Sequence, residues 1–353
     1  MSKSKCPAVP SPSSSVLLLS PQNHVLLLQR VKASSSFASA HVFPGGNLSS
    51  YHERNIPAVG NKERHVDGRA YREAAVRETF EESGILLAKG KDGRLLELGE
   101  EEMVKGRREV HGNKVRFEEW LESKGGSADL DGLIPFTRWV TPTNVPKRFT
   151  TQMYVYCLPT SSSTPLTDST GGQDEPPEVK IPTPTPDGGL EHTTARFLPA
   201  SAWLRLAQEG RIILFPPQFF LLHQAAQHLD ALASPSDYAS ISRKAVPQAE
   251  LDSRRQRLLE FISRPPACEE GGISWRDMCI SPTVQPPRTG EKRDDGRNVL
   301  GLDRPGPELE AEGSGRKGLK NQCVLVEFKK DGPRRVAVIS RSEAMDGSGG
   351  AKL

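Results

Sequence analysis

Glu78, Glu81 and Glu82 stand at positions i, i+3 and i+4 of a stretch that reads as helix. On a helix those positions share one face. Three carboxylates crowded there repel one another unless a cation lies between them. A hard divalent ion such as Mg²⁺ or Mn²⁺ suits them, because it prefers oxygen ligands and commonly bridges to phosphate oxygens. The alternative is a solvated acidic face of the kind surface helices often carry. Arg77 stands four residues before Glu81, at the right spacing to pair with it or to hold the helix against the glycines upstream. Those glycines are Gly45 and Gly46, after Phe43-Pro44. They let the backbone turn sharply and approach a ligand closely.

The elements that must position these residues follow from spacing. Residues 69–83 read as a helix, with Ala70, Ala74, Ala75 and Phe80 at small or apolar positions, Asp67 as its N-cap and Gly84 as its C-cap. Val16–Leu19 and His24–Gln29 are β-prone runs across Pro21-Gln22-Asn23, which predicts a hairpin. Further strands are expected at Trp139-Val140, at Gln152–Leu158, with Met153, Val155 and Cys157 on one face, and at Ala195–Leu198. Residues 98–124 read as highly charged helix, and Ala200–Glu209 and Pro217–Leu232 as two more helices. Val324–Phe328 and Val336–Ile339, joined across Lys330-Asp331-Gly332, predict a second hairpin.

The segments between are polar. Residues 1–12 are expected to be disordered, and stretches near 47–66 and 159–189 to be insertions, the second carrying Asp174-Glu175. The expected organisation is one domain over residues 13–235 and a C-terminal extension over 236–353. The chain has 353 residues, 47 basic against 44 acidic, and that near balance gives no support for a nucleic-acid or membrane field. No apolar run approaches the roughly 18–20 residues of a membrane span. Five cysteines, odd in number and without close pairs, argue against a zinc site or a disulfide framework.

Arg77-Glu78-x-x-Glu81-Glu82-x-Gly84-Ile85, preceded by Gly45-Gly46, resembles the box of the Nudix superfamily. The resemblance implies an α/β/α sandwich with a mixed, curved sheet, and hydrolysis of nucleoside diphosphates linked to another group. It implies that Glu78, Glu81 and Glu82 are the metal-ligand and catalytic positions and that Arg77 is a structural salt-bridge partner. The chain departs from the box in three places. The glutamate usual eight residues before the arginine is Arg69 here, Thr79 replaces an aliphatic residue, and residues 47–68 lengthen the usual gap.

Within the superfamily the chain resembles the peroxisomal coenzyme A and acyl-coenzyme A diphosphatases. The likeness runs in order through Leu26–Arg30, Phe37, His41–Gly46, Arg77–Leu87, Trp139–Pro142, Arg148-Phe149, Phe215–Phe219 and Trp275. It implies a small-molecule nucleotide substrate, coenzyme A or its esters. A further glutamate outside the box often completes the metal site or acts as base, and Glu191 fits that place, with Asp174 and Glu175 as rivals and an ordinary loop glutamate as the alternative. Arg30, Lys147 and Arg148 are candidates for the substrate phosphates, the two arginines because a guanidinium matches phosphate geometry and the lysine as a point charge. Gly45 and Gly46 are expected to approach the same ligand. His41 is a weaker phosphate candidate; Trp139, Phe149 and Phe219 read as core. The chain ends Ala351-Lys352-Leu353, which resembles the peroxisomal C-terminal signal and implies an import receptor and a peroxisomal address. Two rival functions stay open: hydrolysis of another nucleotide (NADH, ADP-ribose or a dinucleoside polyphosphate), or a catalytically silent binding module.

Overall fold

The computed structural model describes residues 7–31, 39–159, 184–185, 192–232, 234, 237–238, 246–266, 272–286 and 293–345. Phe37, Asp174, Glu175, Glu191 and the terminal tripeptide therefore lie outside the described residues.

The chain opens with β1 (Ser11–Leu19), β2 (Val25–Arg30), β3 (His41–Val42) and β4 (Gly45–Asn47). Helix α1 (Arg69–Ser83) follows, then β5 (Ala88–Gly90), α2 (Glu100–His111), α3 (Phe117–Ser123) and β6 (Gly126–Ala128). Next come β7 (Ile134–Val140), β8 (Phe149–Cys157), β9 (His192–Leu198), α4 (Ala200–Gln208), α5 (Pro216–Leu229) and α6 (Gln248–Ser263). The last stretch holds β10 (Cys279–Ile280), β11 (Thr283–Gln285), β12 (Asn298–Leu302), α7 (Pro307–Ala311), β13 (Leu319–Lys329), β14 (Gly332–Ser340) and α8 (Arg341–Met345).

The central sheet runs β10-β7-β8-β1-β2-β3, with β4 added to β1 and β9 to β2. It is mixed, because β1 pairs parallel with β8 and β10 parallel with β7 while the other pairs are antiparallel. Side chains alternate across a strand, and the two faces feed two cores. Leu17, Leu19, Val25, Leu27, Met153 and Val155 pack with α4, α5 and α6. Val16, Leu18, Leu26, Leu28, Tyr154 and Tyr156 pack with α1, α2 and α3. Helices on both faces of a mixed sheet make the α/β/α sandwich that the resemblance implies. Among the described residues, no helix is long and apolar enough to cross a membrane.

Several boundaries differ from the sequence reading. β1 begins at Ser11, inside the stretch expected to be disordered, and pairs residue by residue with Phe149–Cys157. Ser13, Ser14 and Ser15 are buried there because β8 and β4 flank them. The long charged helix divides into α2 and α3 at Gly112-Asn113, where Asn113 takes φ +52°. One apolar core crosses residue 236, since Leu258, Ile262, Trp275, Leu302 and Val324 share it with Trp203 and Phe220. The C-terminal residues also supply β10 to the central sheet. The second hairpin appears as β13 and β14 in a separate sheet of order β11-β12-β13-β14.

Candidate active site

Helix α1 lies against the sheet through Tyr71, Ala75, Val76 and Phe80. Its small residues Ala70, Ala74 and Ala75 let the backbone approach closely. Phe80 stacks on Trp120 at 4.9 Å and so couples α1 to α3. Gly84 closes the helix in the left-handed conformation at φ +73°, its N–H donating to Phe80 O at 2.9 Å. The N-cap is Gly68 rather than Asp67. Asp67 instead accepts from Arg72 Nη2 at 2.6 Å and from the Tyr154 hydroxyl at 2.5 Å. Thr79 is fully buried and donates its hydroxyl to Ala75 O at 2.8 Å, which satisfies the polar atom that replaces an aliphatic group.

The glutamates emerge together at the edge of this packing. Glu78, Glu81 and Glu82 line one cavity of about 410 Å³ with Asn47–Ser50, His52, Arg77, His111 and Asn113. Arg77 is the hub beneath it, 3% exposed. Its Nη1 lies 2.8 Å from Glu78 Oε1 and 3.0 Å from Glu81 Oε1. Its Nε donates to Glu53 Oε1 at 2.7 Å and its Nη2 to Asn47 O at 3.0 Å. Burial works against the Arg77 charge, but Glu78, Glu53 and Glu81 outweigh it and raise its pKa above the ordinary value. Burial likewise pushes the Glu78 carboxyl up to about 7 against the pull of Arg77, with Glu81 and Glu53 adding repulsion. Glu53 is raised too, by burial first, despite its contacts with Arg77.

The glycine loop shapes the carboxylates. Gly45 N–H donates to Glu82 Oε2 at 2.8 Å. A Cβ at Gly46 would meet the Glu78 carboxylate at 2.5 Å, and one at Gly45 would meet Ser14 O at 2.3 Å. Neither glycine lines the cavity; both lie behind it, against Glu78 and Glu82.

Arg148 is also placed differently. It is buried, with Nη2 on Glu308 Oε2 at 3.1 Å, Nε on Thr141 O at 2.9 Å and Nη1 on Ala8 O at 2.8 Å. Those donors tie the chain start to α7, and Arg148 is absent from the cavity lining. Lys147 sits over the Phe149 ring at 5.5 Å. Arg30 ends β2 opposite His192 and is likewise outside the lining. His41 is buried, and its Nδ1 meets no hydrogen-bond partner among the described residues; burial, then Arg196, lowers its pKa to about 4. It packs on Trp203, on the opposite face of the sheet from α1. Glu191 lies outside the described residues, and its neighbour His192 brings Nε2 to 3.7 Å from Glu82 Oε1.

Four contributors were not foreseen: Glu53, His52, His111 and His192. Arg69, at the position of the missing box glutamate, is exposed and pairs with Glu73 at 2.6 Å and Glu118 at 3.4 Å. Glu53 supplies a carboxylate to Arg77 from the long segment instead, and it is itself held by the Ser49 N–H. A buried arginine needs such partners, and that requirement was the available signal.

A family model described as the NUDT19 Nudix domain matches residues 59–224. That match takes in α1 and covers somewhat less than half of the chain, so residues 59–224 are similar to a Nudix domain. Putative nudix hydrolase 7 of Caenorhabditis elegans is 26% identical over 62% of this chain and 61% of its own length. Acyl-coenzyme A diphosphatase NUDT19 of Xenopus laevis is 28% identical over 38% of this chain and 47% of its own length. The chain thus spans between about half and three-fifths of these curated relatives. A Nudix hydrolase structure from Alicyclobacillus acidocaldarius is 21% identical, covers 67% of this chain and 99% of its own, and superposes with a TM-score of 0.46.

Nudix hydrolases generally use divalent metal ions. Helix α1 has the donor type for one, three carboxylates round one cavity, and a glycine where a Cβ would crowd Glu78. As the side chains stand, Arg77, His111 and the Gly45 amide hold the carboxylates apart. Among the described residues, no three metal-binding side chains converge on one point. A cation would have to draw them inward from these partners.

Proposed function

We propose that this chain hydrolyses the diphosphate bond of coenzyme A and acyl-coenzyme A, giving 3′,5′-ADP and 4′-phosphopantetheine or its acylated form. The observation that carries the reading is that its Nudix domain matches the NUDT19 type, whose Xenopus relative is named an acyl-coenzyme A diphosphatase. The carboxylate-lined cavity supports hydrolysis over simple binding, because a binder has no use for three repelling glutamates at one wall.

Glu78 and Glu82 would hold Mg²⁺ or Mn²⁺, with Glu81 beside them. A bound divalent ion supplies charge neutralisation at the phosphates and a more acidic water. The residues do the rest. Arg77 and Gly45 fix the carboxylates, and His52, His111 and Asn113 wall the cavity. A water oxygen attacks one phosphorus, the bridging P–O bond breaks, and the water proton passes to a carboxylate. The peroxisomal address rests on Ala351-Lys352-Leu353 and belongs to the same proposal.

The test is incubation of the full chain with Mg²⁺ or Mn²⁺ and coenzyme A or acetyl-coenzyme A. NADH, ADP-ribose and a dinucleoside polyphosphate serve as competitors at equal concentration. Release of 3′,5′-ADP ahead of the competitors' products is expected. Preferred turnover of a competitor would move the substrate elsewhere in the superfamily, and Mn²⁺ binding without any turnover would favour a silent module.

Gly46→Ala gives a second expectation. The added methyl meets the Glu78 carboxylate at 2.5 Å, so that carboxylate must turn. A misplacement of this size is expected to lower kcat/KM by about 10²-fold with little change in melting temperature. Steady-state kinetics beside a thermal melt separates misplacement from unfolding.

A further inference from the structure

Two residues one turn apart on α2 address the same residue of α1. Arg107 Nε donates to the Glu81 backbone carbonyl at 2.5 Å. His111 Nδ1 lies 3.1 Å from Glu81 Oε2. Positions i and i+4 share a face, so one stripe of α2 grips Glu81 by main chain and side chain together. The remaining carboxylate oxygen, Oε1, accepts from Arg77 Nη1 at 3.0 Å. Both oxygens of Glu81 are therefore held in place.

The grip has a firm base. α2 packs so closely that a Cβ at Gly106 would meet the Trp120 ring at 2.2 Å, and Val110 is buried. Arg107 also donates to Thr185 Oγ1 at 3.0 Å, while Thr185 N–H donates to Ser83 O at 2.9 Å, which closes the end of α1. The His111 side chain is 40% exposed and lines the cavity, so the grip lies at the cavity wall.

We propose that His111 is a positioning residue for Glu81, and that this grip reserves Glu81 for orienting the attacking water while Glu78 and Glu82 take the cation. The proposal rests on the hydrolysis proposed above. A carboxylate held at both oxygens has its side-chain freedom removed before substrate arrives. Groups that orient metal-bound side chains typically matter by 10–100-fold, and a loss of the same order is expected for a carboxylate that orients the water.

The test compares the full native chain with His111→Ala and His111→Asn, whose amide nitrogen takes the place of Nδ1. His111→Ala is expected to lower kcat about 10–100-fold. KM, and the dissociation constant for Mn²⁺ titrated without substrate, should stay near native. His111→Asn should recover most of the rate. An unchanged kcat in the alanine variant overturns the proposal. Equal damage in the asparagine variant does so too, as does a parallel loss of Mn²⁺ affinity, which would place His111 behind the cation. Side-chain ¹⁵N NMR gives a readout free of turnover: a protonated Nδ1 on His111, perturbed by Glu81→Gln, is expected, and an unprotonated Nδ1 sinks the grip. A native chain that turns over no nucleotide defeats the proposed hydrolysis, and the NMR result still decides the grip.

Discussion

Glu82→Gln is expected to lower kcat on coenzyme A by roughly 10³-fold, about 4 kcal/mol of barrier, while the protein stays folded. The substitution keeps the side chain's shape. The amide oxygen can still accept the Gly45 N–H that now meets Glu82 Oε2 at 2.8 Å. What disappears is the charge, and hard divalent ions select carboxylates for charge as well as for oxygen. Glu78 cannot supply the lost charge as well as its own, because one of its oxygens already meets Arg77 at 2.8 Å. The measurement is kcat together with a Mn²⁺ titration and a thermal melt. Loss of rate and Mn²⁺ affinity with an unchanged melt places the cation at α1. A rate within a few-fold of native would mean the reacting carboxylates lie elsewhere.

The parts legible in the sequence are those set by local spacing. α1 spans residues 69–83 as read, because Ala70, Ala74, Ala75 and Phe80 repeat at helical intervals and Gly84 can take positive φ. The same spacing put Glu78, Glu81 and Glu82 at one wall. β2 and β8 were equally legible, β2 as the unbroken apolar run Val25–Leu28 and β8 by the alternation of Met153, Val155 and Cys157. Contacts between distant segments were not. Glu53 reaches Arg77 across 24 positions and His111 reaches Glu81 across 30, and neither stands out among the polar residues around it. Arg148 illustrates the opposite error. A basic residue beside a strand resembles a phosphate ligand until Glu308, 160 positions away, takes its guanidinium. α6 was missed although Leu251, Leu258 and Ile262 fall on one buried face. Its many charges, with polar sequence on both sides, hid a stripe that packing against α5 and Trp275 explains.

The hub beneath the site sets the other large effect. Arg77→Met is expected to destabilise the protein by about 3–5 kcal/mol, the usual cost of stripping one partner from a buried ion pair. Methionine fills much of the space but leaves Glu53, 1% exposed in its side chain, and Glu81, 7% exposed, facing Glu78 with no cation among them. The Asn47 carbonyl also loses its donor, which frees the segment that lines the cavity. A loss of this size is a large share of the 5–15 kcal/mol that typically holds a domain folded. Glu53→Gln in the same background should return part of it, because a neutral amide tolerates burial without a charged partner. The double variant should then be less destabilised than the sum of the single ones, as residues of one network couple. Denaturant melts of the four proteins at neutral pH measure this directly. Strict additivity would show that Arg77 and Glu53 act independently. The long segment between the glycines and α1 would then be a passenger at the site, rather than the source of the carboxylate that the Arg69 position lacks.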